Sequence, residues 1–464
     1  MNASLLARMK AEHFQYTSID LFSGPGGLCT GFKWAGILPL IAVEWSDTTV
    51  LTYSVNHNAD IFELSEYLNN GSYNTDYSNQ FYKESTKSVI IHGDINKVSN
   101  SLILDLLRFR YGIDSKKETV DVVSGGAPCE SFSLQGQRNA NDERDDLFSN
   151  ILRIARTVKA KLVLFENVKG LLSKSRDGVR GAIFKYICDS FEDNTKKVKY
   201  KLASRSQNII LLKAADFGVP QLRERLFLVG IRSDLKIQFS YPVPIYGANS
   251  DCPYITVKEA LVGLPTINMN EESRKYNAPK KFSSKNEQVY QSIMRGEYED
   301  DSVHANVPSY IIEKGLFNSK SISSHKAPGH VKKKQQLLAL IRENESMMSC
   351  YDRLVKEGSI DNYRELFPKT LFGSRNRRLN NNEPSFTVTS HCLDEMLHPV
   401  LNRAITPREA ARLQSFPDWY QFEGPYVAFH SSKEQDRYEQ IGDAIPPLLA
   451  CAIAKELVSA LNQQ

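Results

Sequence analysis

The chain has no CxxC pair, no secretory segment at its start, no uninterrupted apolar stretch near the roughly 20 residues that cross a bilayer, and no large charge of either sign. Its 7 cysteines, at positions 29, 129, 188, 252, 350, 392 and 451, are scattered and odd in number, so neither a disulfide framework nor a zinc site is suggested and no metal is expected. A net charge of +4 does not identify a nucleic-acid binder, although a mildly basic chain can gather its positive charge in one cleft. No internal repeat is present. What remains is a folded globular chain, 41% hydrophobic and 24% charged, whose 464 residues exceed a single core and which is expected in the cytoplasm with no membrane partner.

Short apolar runs at residues 18–22, 40–44, 89–92, 120–124, 162–166 and 225–231 read as buried strands, with helix-compatible stretches such as residues 147–158 between several of them. Alternating strands and helices predict an α/β fold with a doubly wound, mostly parallel sheet. Residues 69–80, rich in Asn, Tyr and Ser, read as an exposed loop insertion. From about residue 245 the chain turns to short polar segments, including the lysine clusters Lys280–Lys281 and Lys332–Lys334, which most simply are solvated faces. Helical periodicity returns at 406–416 and 446–461. The expected division is a catalytic and cofactor-binding domain of residues 1–244 and 401–464 and a second, smaller domain of 245–400.

The first strand runs into Ser23-Gly-Pro-Gly-Gly27 and then a helix. Such a turn lets a ligand approach the backbone, and the helix start offers unpaired N–H groups to an anion. The spacing is not GxGxxG, which weakens a nicotinamide dehydrogenase reading. Glu44 ends the second strand, where a carboxylate can accept both ribose hydroxyls, and Trp45 beside it offers a face for adenine. Asp94, after the third strand, can accept from an adenine amino group. Together they predict an adenosine-containing ligand.

Cys129 follows the strand at 120–124 in a loop held by Gly125, Gly126 and Pro128. A lone cysteine is ordinarily a small core residue. This one lies at the carboxyl edge of the sheet, where open α/β sheets bind ligands, and Glu166 ends the neighbouring strand. A thiol also needs surroundings that remove its proton to act as a nucleophile. Gln221, Arg223 and Arg225 alternate ahead of a later strand and project to one side if extended, as suits a bound anionic strand.

These pieces fall in the order seen in the cytosine-C5 DNA methyltransferase family, which the chain resembles over residues 18–450. The matching segments are Asp20 to Gly27, Glu44-Trp45, Gly93-Asp94-Ile95, Gly125 to Ser133, Arg144-Asp145 with Leu147-Phe148, Glu166-Asn167-Val168 and Gln221 to Arg225. Further on come Arg377-Arg378, Pro384 to Thr387, Leu401 to Pro417 and Gly442 to Pro447. Two positions depart from the family pattern: Glu130, where glutamine is common, and Asp443, where asparagine is common.

The resemblance implies a Rossmann-like fold with a target-recognition domain, of the restriction-modification type, and S-adenosylmethionine as methyl donor. The cofactor would lie against Phe22, Ser23, Gly24, Gly26, Gly27, Leu28, Glu44, Trp45, Asp94, Ile95, Pro128, Asp443 and Ala444. Cys129 would add to C6 of a flipped cytosine, Glu166 would grip N3 and the exocyclic amine, and Arg225 would hold the base carbonyl. Gln221 and Arg223 would support the cysteine loop and the flipped nucleotide. Ser131, Gln135, Gln137, Arg138 and Arg144 would close over double-stranded DNA, with Arg377 and Arg378 as further contacts. The expected partners are duplex DNA and a cognate restriction endonuclease acting on the same site, with the protein itself a monomer. The same family includes a transfer-RNA methyltransferase; the long variable region favours DNA. A catalytically inactive DNA-binding relative is the alternative of another class, and the intact Cys129, Glu166 and Arg225 argue against it.

Overall fold

The computed structural model describes residues 1–68, 73–127, 147–176, 178–248, 250–300, 302–428 and 434–464. Among them one sheet of nine strands organises the chain. Its strands are β1 (Tyr16–Leu21), β2 (Ile37–Glu44), β3 (Ala59–Glu63), β4 (Ser88–His92), β5 (Val122–Gly125), β6 (Leu162–Val168), β7 (Tyr200–Leu202), β8 (Leu211–Lys213) and β9 (Glu224–Arg232). The order is β8-β9-β6-β5-β1-β2-β4-β3, with β7 also on β9. Strands β1 to β6 pair in parallel, and β9 joins β6, β7 and β8 antiparallel. The mostly parallel, doubly wound expectation is met.

The central strands are buried on both faces, which is why they read as continuous apolar runs rather than alternating ones. Val122, Leu162 and Leu164 enter one core, shared with α1 (Gly27–Trp34) and the carboxyl-terminal helices. Val123, Val163 and Phe165 enter the other, shared with a helix of residues Leu147–Val158. Because β1 has β2 on one side and β5 on the other, the connections diverge there. The carboxyl ends of β1 and β5 are therefore the topological switch point, the place where open α/β sheets bind ligands in a crevice.

Three local expectations change. The second strand begins at Ile37 rather than at residue 40, because Pro39, lacking an N–H, is absorbed by a register slip opposite Ser18 and Ile19. The edge strand β3 was hidden by its short, half-polar sequence. Residues 75–79 are helical rather than a loop: the Tyr77 hydroxyl oxygen accepts from the Glu63 N–H at 2.7 Å and the Tyr77 ring packs edge-on against Phe62, covering that edge.

The apolar core does not divide at residue 245. Ile255, Val257, Ala260, Tyr290, Met294 and Phe317 belong to the same cluster as α1 and the carboxyl-terminal helices. A separate small core forms from Leu337, Leu338, Ile341, Met347, Cys350, Leu354 and Phe367. Among the described residues one stretch, Arg437–Leu461, has the length and hydropathy of a membrane span. It breaks into α2 (Arg437–Asp443) and α3 (Pro447–Leu461), and α3 lays Leu449, Ile453 and Leu457 into the main core.

Candidate active site

After β1 the chain passes through left-handed conformations at Phe22, Gly24 and Gly26 before entering α1. Glu44 organises this turn. Its Oε2 accepts from the Gly24 N–H at 2.9 Å, and its Oε1 accepts from the Trp45 and Ser46 N–H groups at 2.8 and 3.0 Å. Trp45 stands beside it, 47% exposed. Asp94 caps a turn of 3-10 helix by accepting from the Asn96 N–H at 3.0 Å, with Ile95 buried behind it. The carboxyl-terminal motif returns to the same place: the Ile445 carbonyl abuts Gly27 so closely that a Cβ there would lie 2.2 Å from it. Leu28 and Ala444 are buried in the main core at this junction.

On the other side of the crevice Glu166, 8% exposed at the end of β6, pairs with Arg225, whose Nε lies 3.1 Å from Oε1. The other oxygen, Oε2, occupies the space beside Gly126, where a Cβ would meet it at 2.8 Å. Burial raises the Glu166 carboxyl above its ordinary range, with Arg225 and Arg223 pulling the other way. Asn167 donates through Nδ2 to the Ala127 carbonyl at 2.9 Å, tying β6 to the chain just ahead of the cysteine loop. The sequence reading gave Asn167 no role, although it sits inside the Glu-Asn-Val motif.

Gln221 and Arg223 do alternate with Arg225, but they brace different ground from that expected. Gln221 donates to the Leu413 carbonyl at 3.1 Å and accepts from the Val388 N–H at 2.8 Å. Arg223, 1% exposed, donates to the carbonyls of Val388 and Gly442 at 2.7 and 2.9 Å. Their polar groups therefore fasten the carboxyl-terminal motifs to the sheet rather than facing a nucleotide. The Arg223 Nε finds no partner among the described residues. Asp443 opens to solvent at the rim of the crevice and accepts from Gln435 at 3.0 Å. Partial desolvation of its carboxyl by the neighbouring groups raises it to about 6, against the pull of Arg223.

The expected DNA contact at Arg378 is not met. Its guanidinium is buried and all five N–H bonds are spent inside the protein, on the carbonyls of Ile341, His398, Leu401 and Leu338 and on Asn402 Oδ1. Arg377 is half-buried, its guanidinium 4.5 Å from the Phe386 ring centroid. Pro128, Cys129, Ser131, Gln135, Gln137, Arg138 and Arg144 lie outside the described residues.

Strand order, glycine turn and an acid facing it across the switch point together define a Rossmann-like methyltransferase fold. A profile of the C-5 cytosine-specific DNA methylase family matches residues 71–459. The type II methyltransferase M.DdeI of Desulfomicrobium norvegicum is 30% identical over 444 residues, covering 95% of this chain and 88% of that protein. M.XorII of Xanthomonas oryzae pv. oryzae is 28% identical over 456 residues, covering 96% and 85%. A solved structure of a protein encoded within an E. coli prophage and assigned as a DNA modification methyltransferase shares the fold, with a TM-score of 0.64 at 24% identity over 97% of this chain and 100% of that one. The chain belongs to the C-5 cytosine-specific DNA methylase family. It is a DNA (cytosine-5)-methyltransferase with S-adenosylmethionine as methyl donor.

The turn fits that donor on its own terms. Ser23 Oγ is buried without a hydrogen-bond partner among the described residues, next to the N-terminus of α1. Such an orphaned hydroxyl and the first N–H groups of a helix suit the carboxylate of a methionine moiety. Glu44 Oε2, which accepts from the Gly24 N–H, retains acceptor capacity for a ribose hydroxyl.

Proposed function

We propose that Cys129 is the nucleophile that adds to C6 of a cytosine rotated out of duplex DNA, and that Glu166 and Arg225 form the pocket for the base. The observation that carries this reading is the pairing of Glu166 with Arg225 beside Gly126, three residues ahead of Cys129 and across the switch point from the glycine turn. The Cys129 thiolate forms a bond to C6, and the electrons of the C5–C6 double bond move to C5. Glu166, held toward its neutral form by burial, donates to N3 and so withdraws electrons from the ring as the sulfur adds. Arg225 holds the base carbonyl while its Nε keeps Glu166 in place. When bound, S-adenosylmethionine supplies the electrophilic methyl group. Loss of the C5 proton and expulsion of the thiolate restore the aromatic ring and free Cys129.

Rotation of the cytosine costs on the order of a few kcal/mol, which protein contacts must offset. Residues 131–144, with Ser131, Gln135, Gln137, Arg138 and Arg144, are assigned to that closure. The unit built on Leu337 to Phe367 is assigned to reading the target sequence in the major groove, which narrows recognition from residues 245–400 to the part with its own core. Gln221 and Arg223 act as braces. The protein works as a monomer in the cytoplasm beside a restriction endonuclease that cuts the same site.

The test is transfer of label from tritiated S-adenosylmethionine to duplex DNA and to transfer RNA offered separately. The expected result is 5-methylcytosine in duplex DNA at one sequence; label on RNA alone overturns the reading.

A further inference from the structure

A buried polar circuit runs beneath the glycine turn. Asp20, 1% exposed near the end of β1, accepts from Ser124 Oγ at 2.6 Å through Oδ1 and from Cys29 Sγ at 3.1 Å through Oδ2. The Tyr53 hydroxyl donates to Cys29 Sγ at 3.3 Å. The Tyr53 ring stacks on His57 at 4.3 Å, and His57 Nε2 lies 3.1 Å from the Tyr420 hydroxyl, which donates to the Pro25 carbonyl in the turn itself. Around this circuit the packing is apolar, with Ala42, Val50 and Ile90 against Cys29 and Tyr53. A carboxyl group is a costly choice for such a place, and one whose two oxygens each take a side-chain donor from a different element serves as a junction.

The junction joins two specific pieces. Cys29 lies in the first turn of α1, the helix that opens at the cofactor turn. Ser124 lies on β5, in register with Asp20, at the point where the backbone ladder between the two strands is about to end at Leu21 and Gly125. Beyond it the chain gives way to Glu166 at Gly126 and continues to Cys129. The Asp20–Ser124 bond thus links the two strands through side chains one pair before their backbone pairing ends.

We propose that Asp20 is a positioning residue that locks the cofactor turn to the strand delivering the cysteine loop, fixing the distance between methyl donor and nucleophile through Ser124. The inference rests on the reading of Cys129 as the nucleophile. Misplacement of reacting groups by about 1 Å can lower a rate on the order of 100-fold while each group still binds its own ligand. The predicted signature of losing the lock is therefore a failure of transfer with both halves intact.

Ser124→Ala and Asp20→Asn test this with three measurements on the whole protein. Exchange of the target cytosine C5 hydrogen with solvent, without cofactor, reports the nucleophile alone: the thiolate adds at C6, C5 takes a proton from water, and loss of the original proton with expulsion of sulfur returns the base. Calorimetry reports affinity for S-adenosylmethionine. Single-turnover transfer with both ligands saturating reports their alignment. Both variants are expected to keep exchange and affinity within about 3-fold while transfer falls at least about 10-fold. If transfer in Ser124→Ala is unchanged, or exchange, affinity and transfer fall together, Asp20 is not a lock between the halves. If the unsubstituted protein methylates DNA yet shows no exchange, the reading of Cys129 fails and the lock with it.

Discussion

Arg225 reaches Glu166 across two antiparallel strands, Nε to Oε1 at 3.1 Å, at a depth where Glu166 is 8% exposed and burial raises its carboxyl. The arginine holds the carboxyl in place without forcing it fully into the ionised form. Glu166→Gln keeps the shape and removes the acid. Transfer is expected to fall on the order of 100- to 10,000-fold while S-adenosylmethionine affinity and melting temperature stay near their original values. Single-turnover kinetics with calorimetry checks this, and an unchanged transfer rate contradicts a role for the acid at N3.

Gly126→Ala tests the same pair from the opposite wall. A Cβ would lie 2.8 Å from Glu166 Oε2, so the carboxyl must swing away from it and from Arg225. We expect a modest loss of stability, about 1 to 3 kcal/mol, together with a transfer rate reduced about 10-fold or more. Denaturant unfolding and kinetics on the same sample separate the two effects.

Arg378→Ala distinguishes a buried brace from a DNA contact. With five internal hydrogen bonds lost, the segment around residues 338–341 and 398–402 should loosen and stability should fall by about 2 to 4 kcal/mol. The dependence of DNA affinity on salt should keep its slope, whereas loss of a phosphate contact would lower it by about 1.

Two buried acids contribute to the acid limit of the fold. Asp418 is held down to about 2 by Arg412, which donates to it at 2.6 and 2.7 Å, and Glu409 to about 2 by Arg403, which donates at 2.7 and 2.8 Å. Both folded values lie below the ordinary 3.8 and 4.5, so the stability they contribute is present above pH 4.5 and is lost as pH falls toward 2. About 2 kcal/mol should disappear for Asp418 and about 3 kcal/mol for Glu409. Asp418→Asn should flatten its share of the fall, and at neutral pH should cost about 3 to 5 kcal/mol by leaving Arg412 and Arg295 in the interior without their counter-charge. Urea unfolding from pH 2 to pH 7 measures both.

What was legible in the sequence was the sheet, because strands buried on both faces announce themselves as apolar runs, and the chemistry at their carboxyl ends, because the turn, Glu44, Cys129 and Glu166 follow those runs at once. Pro39 hid the start of β2, since a bulge that absorbs a proline looks in sequence like a break. The direction of Gln221 and Arg223 was hidden for a different reason. Alternation shows that both leave the same side of the chain, but their partners, Val388, Leu413 and Gly442, lie more than 160 residues away. Arg378 reads as a surface cation until the carbonyls that surround it are known. The Asp20 circuit draws on residues from 20 to 420, each with an ordinary packing reading of its own, and only the fold brings them together.

Covalent trapping is the decisive measurement for Cys129. Duplex DNA carrying 5-fluorocytosine at the target blocks loss of the group at C5 after transfer, so the sulfur cannot be expelled from C6. With S-adenosylmethionine present, the protein should form a complex with that DNA that survives denaturation, and mass analysis of its peptides should place the bond on Cys129. Cys129→Ser should form none. A complex that persists in Cys129→Ser, or a bond mapped to another residue, would contradict the assignment of the nucleophile.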